Sequence, residues 1–325
     1  MALPTVVKRH KRLLKRQPTS SWVKDYTPGT LAVRGEAPAI STATEIRNTQ
    51  KFGRSLHALS QTETAALLLS LWLPEIVDVN EQRVLPPFES ANPLAGFPPA
   101  KGKKLSHLKG VYSAYERLDA EELYGVIHLG KEREYPEVPV LYEGDILNYC
   151  IDAEGPYCGN WTVKRTADQF DQNRVDVPKK LQTKREKERA FIRHAAEEIF
   201  YTDVCIPTYK ITSDLFSRAL VRNLRTSYRW TIEMTSELQT LLPRAELLVR
   251  NSAGSGDTGV DLGEYFCRKS RISAYEWKIL LYSLIWLRRL NIDLDKAFLI
   301  DQPIKIYREP NNRRFLPFIG RHGHE

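Results

Sequence analysis

The stretch from Val140 to Arg165, V-L-Y-E-G-D-I-L-N-Y-C-I-D-A-E-G-P-Y-C-G-N-W-T-V-K-R, constrains the fold more than any other part of the chain. Its first half is an apolar run with partial alternation, carried by Val140, Tyr142, Ile146, Leu147, Tyr149 and Ile151, which suits a largely buried strand. Asp145 stands inside that run. Residues that break regular structure follow (Asp152, Glu154, Gly155, Pro156, Gly159, Asn160), and then a second short strand from Trp161 to Lys164. The pair reads as a hairpin, which would bring Asp145 and Lys164 close together.

A carboxylate and a lysine on adjacent strands of one sheet are what a metal-dependent phosphodiester nuclease needs. The carboxylate holds a hard cation through oxygen, and the cation activates water and offsets charge on the scissile phosphate. The lysine ammonium can orient the nucleophile or neutralise charge developing on the phosphorus centre. The same two residues also admit a structural reading, in which Asp145 is a strand-end acid satisfied by backbone groups.

Length and charge bound the possibilities. A chain of 325 residues is long enough for two domains, each with its own core. A formal net charge of +8 and a pI near 9.2 favour a polyanionic partner. The four cysteines, Cys150, Cys158, Cys205 and Cys267, form no CxxC pair and have no histidines at zinc spacing, so they read as thiols of a reducing cytoplasm. There is no run of apolar residues long enough for a membrane span, and the charged N-terminus is not followed by the apolar segment of a secretory signal.

Lys8, Arg9, Lys11, Arg12, Lys15 and Arg16 crowd the start of the chain and predict a mobile basic arm able to track DNA phosphates or simply to solubilise. Pro28, Gly29, Gly35 and Pro38 then predict an extended loop up to Ser41. Ser60, followed three residues later by Glu63, forms a capping box at the head of a helix reaching Trp72. Glu63 serves either as a cap alone or also as a metal ligand. Beyond Pro74, residues 75–85 alternate as a strand, with Ile76, Asp78, Asn80 and Gln82 on one face and Val77, Val79, Glu81 and Arg83 on the other. So polar a face predicts an edge or groove-lining position.

Ser60-x-x-Glu63 opening a helix, Asp78-x-x-Glu81-Gln82 on the following strand, and Asp145 followed after a Gly-Pro turn by Val163-Lys164 occur in succession. That succession resembles the TnsA-type endonuclease subunit of heteromeric bacterial transposases, over roughly residues 45 to 230. The resemblance implies an α/β protein with a restriction-endonuclease-like mixed-sheet core and a mainly helical, winged-helix-like C-terminal domain. It implies hydrolysis dependent on Mg²⁺ or Mn²⁺ that cuts the 5′ ends of a transposon, with Glu63, Asp145 and Lys164 catalytic and Glu63, Asp145 and Thr162 at the metal. The implied partners are transposon-end DNA, a transposase subunit of the DDE integrase type and an AAA+ ATPase regulator. The implied location is the bacterial cytoplasm at the nucleoid, with no membrane. Two departures stand out. Thr162 occupies the position two before the lysine, where such nucleases carry Glu or Gln, and it offers a single hydroxyl. A Pro-rich insertion, Pro86 to Pro99, and the basic loop Lys101-Gly-Lys-Lys104 lengthen the approach to Asp145. A stand-alone restriction-like or repair nuclease and an inactive DNA-binding scaffold are the rival readings.

The remaining elements complete the expected layout of an arm and loop over 1–41, a nuclease domain over 42–170 and a partner-docking domain over 171–325. Tyr112 to Leu129 reads as a helix with Glu121 and Glu122 on a solvated face. Asp168 to Pro178 reads as a linker. Lys184 to Phe200 reads as an amphipathic helix with Ala190, Ile192, Ala195 and Ile199 inward, opening the C-terminal domain. A short strand from Cys205 and a helix capped by Ser213-Asp214 follow, the latter carrying Arg218, Arg222, Arg225 and Arg229 as a basic stripe that is either a solvated face or a DNA contact. The glycines of residues 251–259 lack the Gly-Lys-Ser/Thr ending of a phosphate-binding loop, which argues against a nucleotide site. Tyr275 to Leu290 reads as the core helix of the winged-helix-like domain and residues 298–307 as a final hairpin. His322 and His324 in the tail are candidates only for adventitious metal.

Overall fold

The structure of the protein is a computed structural model that describes residues 5–39, 41–128, 137–171, 183–308 and 313–321. The chain divides into two compact units. Met1–Leu67, Pro74–Ser213 and Pro317–Glu325 make the first, and Leu68–Leu73 with Asp214–Leu316 the second. His322 and His324 lie outside the described residues.

The basic N-terminus is not a mobile arm. It forms helix α1 (Thr5–Arg16), which buries Val7, His10 and Leu13, one residue per turn on a single face. Leu13 is fully buried with Val84 and Leu141. The cations flanking that face are paired: Arg9 with Glu143, and Arg16 with Glu36 through two bonds of 2.6 and 2.8 Å. The irregular segment after α1 lies along the edge strand β3 (Ile76–Leu85). There Trp22 Nε1 donates to Asp78 Oδ2 at 2.7 Å, the Tyr26 hydroxyl to the Glu81 carbonyl at 2.8 Å, and the Gly29 amide to the Gln82 carbonyl at 3.0 Å. An uncovered edge would be free to pair with another chain; here Asn80, Glu81, Gln82 and Arg83 are buried and Asp78 is half-buried.

β1 (Thr44–Thr49) and β2 (Arg54–Ala58) form an antiparallel pair ahead of α2 (Gln61–Trp72). The main sheet of the first unit has the order β3-β6-β7-β8, with β6 spanning Tyr142–Asp152, β7 Gly155–Val163 and β8 Thr208–Ile211. β3, β6 and β7 are antiparallel neighbours, and β8 joins β7 in parallel, so the sheet is mixed. The β6–β7 hairpin is tighter than expected. Asp152 pairs with Gly155, leaving only Ala153 and Glu154 in the turn, and β7 absorbs the Gly-Pro pair read as loop. Gly155 has φ +105°, which the turn requires, and Pro156 sits at the strand start, where its missing N–H is tolerated.

Between β3 and β6, the helix expected over Tyr112–Leu129 is cut short. α3 covers Val111–Glu116; a 3-10 turn at Glu121–Leu123 and the strand pair β4 (Val126–His128) and β5 (Glu137–Pro139) follow. Asp119 at φ +49° stops the helix, and the chain folds back so that Tyr112, Tyr115 and Tyr142 surround the Tyr124 ring at centroid distances of 5.4, 4.9 and 5.2 Å. Glu121 and Glu122 are exposed, as expected.

α4 (Lys184–Thr202) is capped by Thr183 with Glu186 in reciprocal bonds. Its buried residues are Ala190, Ala196, Glu197, Phe200 and Tyr201, not the stripe expected from apolarity alone. α4 and β8 belong to the first unit, so the boundary falls near residue 213 and not 170; the pairing of β8 with β7 is what ties them there.

The second unit is helical: α5 (Arg218–Thr231), α6 (Ser236–Asn251), α7 (Gly259–Ser270) and α8 (Ala274–Trp286). Each begins on a Ser or Thr whose side chain accepts a backbone N–H three residues on: Ser217, Thr235, Thr258 and Ser273. The cap of α5 is Ser217 and not Ser213, because Ser213–Leu215 is taken up by a 3-10 turn. The core joins Leu242 and Ala245 to Leu262, Phe266, Trp277, Leu280 and Leu284. The expected hairpin over 298–307 does not form among the described residues. Only an isolated bridge, Thr258 to Pro303, is made, and Ile304 packs into the helical core. No helix among the described residues is long and apolar enough to cross a membrane.

The docking of α1 has a direct consequence. Leu13→Ala should lower stability by about 2–4 kcal/mol, the usual cost of a buried leucine truncation, read as a drop in the urea midpoint; an unchanged midpoint would restore the mobile-arm reading.

Candidate active site

The site begins where the β6–β7 ladder ends. Backbone pairing runs from Asp152–Gly155 to Ile146–Trp161 and goes no further. At the next step the Asp145 side chain intervenes: its Oδ2 accepts the Val163 amide at 2.6 Å and the Lys164 ammonium at 3.0 Å. Lys164 Nζ also reaches the Val163 carbonyl at 3.1 Å, while its own amide bonds to the Ile211 carbonyl of β8 at 2.9 Å. Asp145 therefore terminates the ladder, as the strand-end reading expects, and holds the lysine at once. Burial alone would raise its pKa, but the Lys164 charge and the Val163 N–H outweigh that and hold it below the usual aspartate value.

Glu63 enters from the first turn of α2. Its amide donates to Ser60 Oγ at 3.1 Å, and its carboxylate accepts from the Leu59 amide at 2.9 Å and from the Ser60 hydroxyl at 3.0 Å. A third donor to the carboxylate, Gln82 Nε2, reaches it at 2.8 Å. Burial pushes the Glu63 pKa up to about 7, and the nearby Asp145 charge adds to the rise, against the opposing Leu59 amide and Lys164. Glu63, Asp145 and Lys164 are thus brought within electrostatic reach of one another.

Gln82 reaches Glu63 because its backbone is unusual. It sits at φ +50°, rare for a residue with a side chain. The alternation of β3 breaks there, so that Arg83 returns to the side of Asn80 and hydrogen-bonds its Oδ1 at 2.7 Å. The conformation is held from outside the strand by Gln17 at the end of α1, which donates to the Gln82 carbonyl at 3.1 Å and accepts the Val84 amide at 2.8 Å. The strict period-2 reading of residues 75–85 could not show this flip.

Thr162 does not act alone. Its hydroxyl donates to Glu197 Oε1 at 3.3 Å, and Asn160 Nδ2 donates to the same oxygen at 3.0 Å. Glu197, 3% exposed, is a carboxylate of this cluster absent from the residues singled out in the sequence. Burial raises its pKa, and so does the charge of Asp145, which places the two carboxylates in one field. Ala190, His194, Glu197 and Tyr201 recur at helical spacing along α4, so a carboxylate continuing a stripe of inward residues was the available signal. His194, one turn before Glu197, is pushed down to about 3 by burial and by Lys164 and Arg193, and stays neutral.

Among the described residues no group of three His, Cys, Asp or Glu stands ready to hold a metal. Mg²⁺, however, is commonly held by one or two carboxylates, its remaining positions filled by water and substrate phosphate. Glu63 and Asp145 supply two carboxylates of that kind, and their neighbours are the Leu59 and Val163 amides, the Ser60 hydroxyl, the Gln82 amide and the Lys164 ammonium. Lys164 offsets the Asp145 charge, while the donors to Glu63 among the described residues are neutral, and its pKa is raised first by burial and then by Asp145. No protein-family model matches the chain, and no curated protein matches it.

Two measurements check this geometry. A folded-state pKa raised above the ordinary glutamate value means that Glu63 contributes stability that is complete below about pH 4.5 and is lost as pH rises through about 7. With metal chelated, Glu63→Gln should therefore be more stable than the parent at pH 8.5, by on the order of 1–3 kcal/mol, with the gap closing by pH 4.5. An equal offset at both pH values would show the Glu63 charge to be fully compensated. Gln82→Gly and Gln82→Ala lose the same amide, but only alanine pays for a side chain at positive φ. Gln82→Ala should be less stable than Gln82→Gly by about 1 kcal/mol, and equal melting points would place no strain at residue 82.

Proposed function

We propose that the protein is a Mg²⁺-dependent DNA endonuclease, the subunit of a heteromeric transposase that cuts the 5′ ends of a transposon. The observation that carries this reading is the convergence of Glu63, Asp145 and Lys164 at the open end of the β6–β7 hairpin. A mixed sheet preceded by α2 and covered by α4 is consistent with a restriction-endonuclease-like core. In this reading the helical second unit is the winged-helix-like domain that docks the DDE-type transposase and the AAA+ regulator, although its described residues lack a hairpin wing.

Glu63 and Asp145 would hold the cation, with Thr162 entering through Glu197. The bound cation would activate water and offset charge on the scissile phosphate. Asp145 would keep Lys164 beside the scissile position, and the lysine, its side chain 19% exposed, would donate to a phosphate oxygen or to the attacking water. Gln82 holds the Glu63 carboxylate in one orientation.

One observation favours a second reading, a nuclease fold kept only for DNA binding: Thr162 replaces the usual acid or amide and is engaged by Glu197. The test is excision reconstituted with the partner transposase and ATPase. Asp145→Asn, which keeps an oxygen for the Val163 amide, and Lys164→Ala should each cut the 5′ strand at least about 100-fold more slowly. Asp145→Asn should also lose Mn²⁺ affinity by calorimetry, whereas Lys164→Ala should retain it. Unchanged 5′ cutting by Asp145→Asn would end the catalytic assignment, and absence of Mn²⁺ binding by the parent would select the scaffold. Cutting without partners would identify a stand-alone nuclease.

A further inference from the structure

We propose that the outer face of α5 is a surface that grips the phosphate backbone of duplex DNA, separate from the candidate active site. Arg218, Arg222, Arg225 and Arg229 recur at spacings of four, three and four residues. On an α-helix those positions fall within an arc of about 60° and span about 16 Å. All four side chains are exposed, while Leu220, Asn223, Leu224 and Ser227 bury the opposite face. None of the four forms an ion pair or a side-chain hydrogen bond with another described residue.

Two features set this face apart from an ordinary solvated one. α5, R-A-L-V-R-N-L-R-T-S-Y-R-W-T, contains no acid at all, so there is no i,i+4 partner to relieve the repulsion between successive arginines. Arg218 also stands in the first helical turn, where the helix dipole disfavours a cation. A face kept purely for solubility would gain stability from mixed charges, whereas a face that meets phosphates is stabilised by the ligand. Every cation is moreover Arg, whose planar fork matches phosphate oxygens in pairs. Lys278 of α8, 6.0 Å over the Trp230 ring, extends the positive surface beside the end of α5.

Naming DNA as the polyanion rests on the endonuclease reading; the existence of the surface does not. The experiment uses the full chain, a fluorescein-labelled duplex of arbitrary sequence and a variant carrying Arg218→Gln, Arg222→Gln, Arg225→Gln and Arg229→Gln. Glutamine is a good helix former at exposed positions, so the melting point should hold or rise. If the fourfold variant melts lower, the pairs Arg218→Gln/Arg222→Gln and Arg225→Gln/Arg229→Gln replace it, each expected to show part of the effect. The slope of log affinity against log salt should become shallower by about 0.9 for each phosphate contact removed, with weaker binding to every duplex sequence alike. Mn²⁺ affinity should be unchanged, so a failure of the nuclease reading, seen as no metal binding in the parent, is distinguishable from a failure here. An unaltered salt slope overturns the proposal. So does a parent that binds polyglutamate more tightly than duplex and loses that preference in the variant, which would make the face a dock for an acidic protein.

Discussion

The first unit depends on the backbone of one residue. Gln82 at φ +50° interrupts an edge strand, and its position is fixed from three directions: Gln17 and Gly29 hold its carbonyl, and its side chain ends on Glu63. Strained conformations persist where the surroundings over-determine them. Through this residue the N-terminal helix, the segment covering the sheet edge, the strand and the first carboxylate of the site become one hydrogen-bonded assembly. α1 is consequently part of the support of the site, even though it lies far from Glu63 in sequence.

Charge burial around the sheet separates structural acids from the others. Glu81 is fully buried but grips Arg54 through two bonds of 2.7 and 2.8 Å, and Glu143 is met by Arg9 and the Thr30 hydroxyl. Such pairs contribute little net stability, yet removing one partner is costly. Glu63 and Glu197 differ: their direct partners are amides and hydroxyls, and both carboxyls are raised in pKa by burial with Asp145 adding to it. Among the described residues Lys164 is the ammonium in contact with Asp145, so there the cluster has more carboxylates than cations in direct contact. Protons on the raised carboxyls would balance such a cluster, and so would a hard cation; the proposed function takes the second.

Local chemistry was legible in the sequence, and long-range chemistry was not. Ser60 and Glu63 cap α2 as their spacing requires, and Asp145 meets Lys164 because a hairpin needs only neighbouring strands to register. Glu197 was hidden because an apolar stripe was sought on α4, and the buried stripe that formed includes a carboxylate satisfied by Asn160 and Thr162 from another element. The flip at Gln82 was hidden for a related reason. Nothing in residues 75–85 encodes it, since the groups that hold it come from residues 17 and 29. The hairpin expected at residues 298–307 failed where tertiary packing won, with Ile304 buried among helices.

The two arginine-rich helices show why a charge count cannot decide the role of a segment. α1 looks the more arm-like in sequence, with cations dominating its start and few large apolar residues. It docks by burying Val7, His10 and Leu13, and its arginines are met by acids from elsewhere in the chain, Arg9 by Glu143 and Arg16 by Glu36, leaving Lys8, Lys11 and Lys15 outward. α5 has four arginines in fourteen residues against three in twelve for α1, and it buries Leu220, Asn223, Leu224 and Ser227 on a face that those arginines do not share. Its arginines remain without acidic partners among the described residues. In α1 the arginine charge is spent on structure, and in α5 it is free to act on something outside the chain.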